Sequence, residues 1–238
     1  MRILTLLFAL SLLGVDGADA ASLRVSPVLL DVRSPGAVAG LTLRNDERRP
    51  ITAQLRVFRW VQDKGTDRLE PTGDVVVSPP IMTLTPQTEY HVRIIRLSRR
   101  PADKEESYRL LVDELPDAKS QRSGAITFVV RQSIPIFFGP ADAETAGLEW
   151  SVARDRHGYR ITGINRGGKR LRIATLQLRD GRGAVVARRN GLVGYVLGHS
   201  QMSWRIPALP GGTHAVARIS AETEAGPINV ATALHQSR

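Results

Sequence analysis

The sequence predicts an all-β chain built as two consecutive β-sandwiches. Apolar and polar residues alternate with a period of two through most of the chain, the pattern of strands with one buried and one solvated face. Pro, Gly and Asp residues separate these runs at short intervals, and almost no segment has the 3.6-residue period of a helix. Hydrophobic residues make up 42% of the 238 residues, so the chain can form packed cores and disorder is not expected.

The first twenty residues have the pattern of a cleavable secretory signal peptide. One positive charge at Arg2 precedes a short apolar run, and small residues lead to an A-x-A cleavage pattern that ends at Ala20. The run is too short to span a bilayer comfortably, so a membrane anchor is the weaker alternative. We therefore expect an exported mature chain that starts near Ala21. The absence of cysteine excludes disulfides and thiolate metal sites, and it favours a bacterial periplasm over an animal extracellular space.

Residues 21–139 form the first predicted domain. Within it, Leu55 and Val57 alternate with Gln54 and Arg56, as in a strand with one wet face. Proline after several of the runs stops strand pairing, because it cannot donate to the ladder. Strands are predicted around residues 23–30, 41–43, 52–60, 75–77, 90–94, 108–115 and 124–138.

Residues 140–238 form the second predicted domain, a smaller sandwich of ordinary domain size. The boundary is placed in residues 139–143, a stretch of small and polar residues between two blocks rich in strands. Glycine pairs at 167–168 and 211–212 and an Asp-Gly pair at 180–181 predict hairpin turns. Strands are predicted around residues 148–152, 159–164, 171–178, 184–187, 203–206 and 215–220.

No sequence pattern typical of an active site is present. None of the five histidines lies three to five residues from another, so the local spacing of zinc fingers and zincins is missing. No G-x-S-x-G nucleophile elbow occurs, and the glycine-rich segment at residues 163–168 is interpreted as a hairpin turn and not as a phosphate loop, because no helix pattern follows it. Asp113 and Glu114 are adjacent in a predicted strand, which directs them to opposite faces and makes them a poor acid–base pair. We expect neither an enzyme nor a cofactor or metal site.

The strand predicted at residues 124–138 carries an almost continuous apolar row. Six of the seven even-numbered residues from 126 to 138 are apolar, and all seven point to one side of a strand. One interpretation is a central strand whose row fills the core. The other is an edge strand that offers its backbone and its row to another protein by β-augmentation. The row comprises Ile126, Phe128, Val130, Gln132, Ile134, Ile136 and Phe138.

Three further segments occur in a fixed order before this strand. They are V-S-P-P-I-M-T-L-T-P at residues 77–86, a strand at residues 90–97 and Y-R-L-L-V-D-E-L-P at residues 108–116. In order and spacing this set resembles the periplasmic pilus-assembly chaperones of the chaperone–usher pathway, whose donor strand occupies the place of residues 124–138. The resemblance covers roughly residues 22–140, and the second domain is similar to the family only in size and strand content.

The resemblance implies two immunoglobulin-like β-sandwich domains in a boomerang-like arrangement. It also implies a periplasmic chaperone that binds, folds and caps pilus subunits by donor-strand complementation and delivers them to an outer-membrane usher. A pilin subunit is an incomplete sandwich, and the donor strand fills its groove with alternate apolar side chains. On this interpretation Ile126, Phe128 and Val130 are the main inserted residues, and Ile134 and Ile136 lie nearer the cleft.

The resemblance departs from the better-known branch of the family at the site that anchors the subunit's C-terminal carboxylate. That branch uses an Arg on the first strand and a Lys on the donor strand. The corresponding positions here look like Ser26 or Pro27, and Pro135, so the basic pair is absent. The opening V-S-P-V segment is similar to that of the archaic branch, which makes spore-coat-like and biofilm pili. Because a desolvated carboxylate needs a cation, Arg109 is the first candidate anchor and Arg131 the second.

Each of these arginines could instead be a solvated surface residue, and Arg93 and Arg96 are reserve candidates. The alternative function is an exported adhesin or carbohydrate-binding protein, for which only Trp60, Trp150 and Trp204 offer large aromatic surfaces. The net charge of +10 comes from scattered residues, which favours solubility and steering toward an acidic subunit over nucleic-acid binding. We expect no membrane insertion, and self-association of the free chaperone is left open.

Overall fold

The computed structural model describes residues 23–116, 130–140, 147–210, 216–232 and 234–236. Within these ranges all regular secondary structure is β-strand. The strands form two consecutive sandwiches, which confirms the predicted fold class. The predicted signal peptide lies outside the described residues, as do residues 124–129 of the predicted donor strand.

The N-terminal sandwich contains ten strands. They are β1 (Leu23–Ser26), β2 (Leu30–Arg33), β3 (Val38–Asn45), β4 (Ile51–Asp63), β5 (Thr66–Pro71), β6 (Val75–Ser78), β7 (Ile81–Leu84), β8 (Glu89–Arg96), β9 (Glu106–Leu115) and β10 (Arg131–Gly139). One sheet has the order β1-β3-β8-β6. The facing sheet has the order β2-β10-β9-β4-β5, and β7 pairs with the first part of β4.

Period-two alternation builds the core between these sheets. Leu43 of β3, Leu55 of β4 and Ile94 of β8 point inward and are at most 1% exposed. Leu110 of β9 and Ile136 of β10, in the same sheet as Leu55, complete the layer with no exposed surface. Burying each such side chain stabilises the fold by about 1.5–3 kcal/mol before the entropy of ordering is subtracted.

The C-terminal sandwich contains eight strands. They are β11 (Leu148–Asp155), β12 (Gly158–Asn165), β13 (Leu171–Asp180), β14 (Val185–Val196), β15 (Gln201–Ile206), β16 (Val216–Thr223), β17 (Gly226–Ala231) and β18 (Leu234–Gln236). The two sheets have the orders β15-β12-β11-β18 and β14-β13-β16-β17. Their separate core includes Ile161, Ile173, Leu178 and Ile219, all without exposed surface.

A buried asparagine organises the same kind of loop in both sandwiches. Asn45 ends β3, and its side-chain amide donates to the carbonyl of Arg49 at 2.8 Å while its oxygen accepts from the amide of Glu47 at 2.9 Å. Asn165 ends β12 and makes the same pair of bonds, to the carbonyl of Lys169 at 2.8 Å and from the amide of Gly167 at 2.9 Å. Each loop carries the chain from one sheet to the facing one.

The structure corrects the predicted turn at residues 167–168, because it joins β12 to β13 in the facing sheet and forms no hairpin. The sequence did not predict β5, β7, β17 or β18. β5 is exposed or half-buried along its whole length, so its sequence has no apolar alternation to detect. β14 extends well beyond the predicted residues 184–187, and the positive φ angles of Gly191 and Gly194 accompany its bulged pairing with β13.

Candidate functional site

β10 has one unpaired side along its first half. Antiparallel β9 pairs with residues 131–138, whereas on the other side parallel β2 begins only opposite Ile136. Among the strands that the structure describes, none pairs with that second side at residues 131–135. The first half of β10 is therefore an open edge of its sheet, and it continues directly from the predicted donor-strand residues.

The register shows which backbone groups the open edge presents. The amide of Glu114 donates to the carbonyl of Val130 at 3.1 Å, so the even-numbered residues of β10 hydrogen-bond to β9. The odd-numbered residues direct their backbone groups to the other side. Arg131 and Ser133 therefore offer a donor and an acceptor each, whereas Pro135 has no N–H and its carbonyl belongs to the ladder with β2 that begins opposite Ile136. An edge of this kind can accept an added strand from another chain.

The even-numbered side chains of β10 fill the protein's own core. Ile134 is 4% exposed and Ile136 is fully buried, both in the core of the N-terminal sandwich. This corrects the expectation that they enter a partner, because their side chains are already packed between the two sheets. Val130, just before the strand, is half-buried. Ile126 and Phe128 lie outside the described residues.

The odd-numbered face of β10 points toward the C-terminal sandwich. Phe137 packs with Trp60 of β4 and with Tyr195 and Leu197 of the C-terminal sandwich, and all four are nearly or fully buried. The ring centres of Trp60 and Tyr195 are 5.5 Å apart in an edge-on arrangement, and Phe137 lies 5.9 Å from each. We call these four residues the aromatic cluster. It forms the base of the cleft between the sandwiches.

Arg109 of β9 lies against this aromatic cluster. Its guanidinium carbon is 3.8 Å from the centre of the Trp60 ring and 5.8 Å from that of Tyr195. Burial lowers the pKa of Arg109, although Asp67 and Tyr195 act in the opposite direction. No carboxylate of the described residues lies within ion-pair distance of it. Arg109 is thus a partly desolvated cation held by rings, with hydrogen-bonding capacity left for an anion.

Arg131, the second candidate, is already paired inside the protein. Its side chain is 60% exposed and contacts Asp113, which Arg56 also binds at 2.7 Å. The hydrogen bond that Arg131 donates to Asp113 raises the pKa of Arg131. Because its carboxylate partner is in place, Arg131 is the weaker candidate for an incoming carboxylate.

The two reserve candidates lie elsewhere. Arg96 is buried and forms a two-pronged ion pair with Glu106, with both N–O distances 2.8 Å. Arg93 is exposed on β8, on the outer surface of the sheet opposite to that of β10. Neither is brought to the aromatic cluster.

A second arginine of the cleft, Arg170, was not singled out by the sequence. It is 5% exposed, and its guanidinium binds Asp31 at 2.7 Å and also contacts Glu105, both in the N-terminal sandwich. Its backbone amide donates to Glu105 at 2.8 Å. Burial opposes its charge, but the two carboxylates outweigh burial and raise the pKa of Arg170. This buried cation fixes one sandwich to the other.

The β4–β5 hairpin makes further contacts across the cleft. The side chain of Gln62 donates to the carbonyl of Tyr195 at 2.8 Å and accepts from the amide of Leu197 at 2.9 Å, as a backbone ladder would. At the hairpin tip, the carbonyl of Gly65 accepts from the amide of Ser203 at 3.1 Å. Together with Arg170, these contacts hold the aromatic cluster and Arg109 in place.

The structure gives little support to other kinds of site. The part of the chain that it describes gathers no group of three or more His, Cys, Asp or Glu side chains suited to a metal ion. Across the same residues, no helix has the length and apolar character needed to cross a bilayer. Trp60 and Trp204 are nearly buried, and Trp150 is half-buried 6.3 Å from Trp204, so these rings do not form an exposed sugar platform.

Solved structures with the same architecture are chaperones of pilus assembly. A chain of the CsuC–CsuE chaperone–tip adhesion subunit pre-assembly complex from archaic chaperone–usher Csu pili of Acinetobacter baumannii is 24% identical, with TM-score 0.68, over 90% of this chain and 100% of that one. A chain of the complex between Salmonella enterica SafA pilin and the SafB chaperone is 18% identical, with TM-score 0.60, over 90% of this chain and 98% of that one. The E. coli chaperone DraB is 21% identical, with TM-score 0.56, over 89% of this chain and 96% of that one.

At these identities the structures establish the fold alone, and no curated protein matches the chain. The family is established by the sequence itself. Residues 22–144, just over half of the chain, match the family described as "Pili and flagellar-assembly chaperone, PapD N-terminal domain". The chain therefore belongs to the family of pili and flagellar-assembly chaperones.

Proposed function

We propose that this protein is a periplasmic chaperone that binds and caps pilus subunits by donor-strand complementation and delivers them to an outer-membrane usher. The observation that carries the proposal is the open edge of β10 at residues 131–135. A subunit lacking one strand can extend the sheet there through backbone hydrogen bonds. The likeness to the CsuC–CsuE complex supports the archaic branch of the pathway. The signal-peptide pattern of residues 1–20 supports export, and the separate cores built by the strands up to Gly139 and by those from Leu148 onward support two domains divided after Gly139.

The inserted side chains in this proposal are Ile126, Phe128 and Val130, which precede the part of the apolar row that fills the protein's own core. Each would contribute on the order of 1.5–3 kcal/mol when it is buried in a subunit groove, before ordering costs are subtracted. Residues 134 and 136 then serve as the continuation of the same row inside the chaperone, which aligns the donor residues with the subunit core.

The carboxylate anchor in this proposal is Arg109. Its guanidinium is partly desolvated against two rings and retains free donors, which suits a terminal carboxylate brought into the cleft. Arg131 is the alternative anchor, and it would have to share its charge with Asp113.

The experiment is co-expression with candidate small β-rich secreted subunits, followed by co-purification from the periplasm. Phe128→Asp and Ile126→Asp should abolish subunit capture while the melting temperature of the free chaperone stays unchanged. The matched control is Thr127→Asp, which places the same charge on the other side of the strand. Full capture by both row variants would refute the donor-strand assignment.

The anchor is tested separately with Arg109→Ala and Arg131→Ala. Losing one partner of a desolvated charge pair costs about 2–5 kcal/mol, so Arg109→Ala should weaken subunit binding by roughly thirty-fold or more. Arg131→Ala should weaken it several-fold at most. The reverse ranking would transfer the anchor to Arg131.

A further inference from the structure

The net charge of the protein is concentrated in its C-terminal part. Residues 147–238 contain 14 Lys and Arg against 5 Asp and Glu, a net charge of +9, whereas residues 1–146 contain 19 against 18. A charge asymmetry of this size between two halves of a chain points to an anionic partner for one of them. The proposed subunit-binding edge lies in the nearly neutral half, so it does not account for the asymmetry.

One sheet face carries an unpaired part of this charge. Leu178 of β13 and Ile219 of β16 lie opposite each other and are fully buried, so their strand neighbours point outward. Those neighbours include Arg179 and Arg218, which lie directly opposite each other in the register. Arg188 of β14 joins them on the same face, because it pairs with Gln177, two residues before Arg179. We call Arg179, Arg188 and Arg218 the arginine face.

Neutral groups orient two of these arginines without neutralising their charge. Arg179 donates to the carbonyl of Gly183 and to the side-chain oxygen of Gln177, both at 2.9 Å. Arg218 donates to the side-chain oxygen of Asn229 at 3.0 Å. Within the described residues, no carboxylate forms an ion pair with any of the three.

The nearest acidic residue along β16 on this face is Glu222, four residues from Arg218. At the rise of an extended strand this separation is roughly 13 Å, beyond the screening length at physiological salt. Glu222 accepts a hydrogen bond from the hydroxyl of Thr175 at 3.3 Å. The positive charge of the arginine face is therefore left for a partner outside the protein.

The form of the face indicates the class of partner. Hot spots of protein interfaces combine arginine with buried aromatic anchors, whereas the central rows of this face have arginines, small residues and amides and no aromatic side chain. Leu192 of the edge strand β14 is 55% exposed and pairs with Ala174 of β13. A broad array of unpaired cations with an aliphatic side chain at its rim suits a charged plane better than a pocketed surface.

We propose that the arginine face docks the exported protein on a membrane surface rich in anionic phospholipids. The guanidinium groups contact the phosphates of the headgroups, and Leu192 enters the interface between headgroups and acyl chains. The contact is peripheral and reversible, and it leaves the open edge of β10 in the other sandwich accessible. It does not depend on the proposed capture of pilus subunits.

The test measures co-sedimentation of the exported protein, purified from the periplasm, with vesicles of phosphatidylcholine containing about 30 mol% phosphatidylglycerol. The protein should bind these vesicles at low salt, bind pure phosphatidylcholine vesicles poorly, and dissociate when the salt is raised to about 0.5 M. Changing Arg179, Arg188 and Arg218 together to Gln should lower the partition coefficient on the order of 100-fold, because each basic residue contributes about a factor of five.

The control changes Arg48, Arg93 and Arg99 to Gln, three exposed arginines of the N-terminal sandwich that lack an ion pair among the described residues. It lowers the net charge by the same amount and should keep vesicle binding within a few-fold. Melting temperatures establish that both triple variants are folded. Equal losses of vesicle binding in the two variants would overturn the proposal that the arginine face docks on membranes. Binding to poly-glutamate without binding to vesicles would also overturn it, in favour of an acidic protein partner.

Discussion

Two arginines meet the aromatic cluster in very different surroundings. Each guanidinium carbon lies 3.8 Å from the centre of a ring in that cluster. Arg170 also binds Asp31 and Glu105 across the junction of the sandwiches. Arg109 has no carboxylate at ion-pair distance among the described residues, and its closest partners are rings. Burial opposes the charge of both, yet the pKa of Arg170 is raised and that of Arg109 is lowered.

The difference separates a structural cation from one available to a ligand. A buried charge satisfied by two carboxylates of the same chain gains little from an added anion. A charge desolvated against rings lacks such compensation and gains from one. The same cleft therefore has a closed contact at Arg170, which fixes the sandwiches, and an open one at Arg109, the proposed anchor for a subunit's carboxylate.

The largest expected effect tests the closed contact. Arg170→Ala leaves Glu105, whose side chain is 5% exposed, without its cation. Removing one partner of such a pair costs about 3–5 kcal/mol when both are buried, and the partial exposure of Asp31 places the expected loss near 3 kcal/mol. Urea unfolding monitored by tryptophan fluorescence gives the free energy directly.

Its matched control is Arg166→Ala, four residues earlier. Arg166 is 68% exposed and lies 3.3 Å from Glu149, which is itself 59% exposed. Exposed pairs contribute about 0–1 kcal/mol, so this variant should unfold almost like the parent. Similar losses in the two variants would mean that Arg170 acts as an ordinary surface charge.

A second test addresses the contacts between the tip of the β4–β5 hairpin and the C-terminal sandwich. Gly65 has φ +80°, and a Cβ atom there would lie 2.6 Å from the hydroxyl of Ser203 in the other sandwich. Gly65→Ala should therefore cost about 2 kcal/mol, of which about 1 kcal/mol reflects the left-handed backbone. Gly191→Ala isolates that backbone part, because Gly191 has φ +71° with open space around it. Equal losses would show that the hairpin tip is not pressed against Ser203.

The open contact should matter much less for stability. Arg109→Ala removes a cation stacked on Trp60, an interaction that contributes about 0.5–2 kcal/mol, and it also relieves the cost of burying a charge. We expect the free energy of unfolding to fall by about 1 kcal/mol or less. A loss as large as that of Arg170→Ala would contradict the distinction between the two arginines. Arg109→Met, which keeps the apolar stem, should be closer still to the parent.

The sequence predicts strands well where one face is buried. β3 and β8 follow from alternation alone, because each packs one row of side chains into a core. β5 could not be predicted, since solvent reaches both of its faces. Alternation also identified the apolar row of β10, but it does not reveal what covers a row. Ile134 and Ile136 therefore looked like residues for a partner, although they pack inside the protein.

The cleft depends on contacts that no local pattern encodes. Arg170 lies 65 residues from Glu105 and 139 from Asp31, and Gln62 lies 133 residues from Tyr195. These pairs form only after two separate sandwiches dock, so nothing near Arg170 or Gln62 in the sequence distinguishes them from surface residues. Arg109 was identified through its neighbouring strand and the need for a cation. The rings that hold it became visible only in the folded chain.

The smallest expected effect extends the comparison to Arg131, which resembles Arg170 in being paired. Burial acts to raise the pKa of its partner Asp113, but hydrogen bonds from Arg131 and Arg56 outweigh burial and lower it. Because the folded pKa lies below the unfolded one, Asp113 stabilises the fold fully above the unfolded value near pH 4 and loses this effect as the pH falls through the folded value. Asp113→Asn should thus lose less stability than the parent between about pH 7 and about pH 3, by less than about 1 kcal/mol. If Asp113→Asn loses as much stability on acidification as the parent does, Arg131 is free to receive a carboxylate.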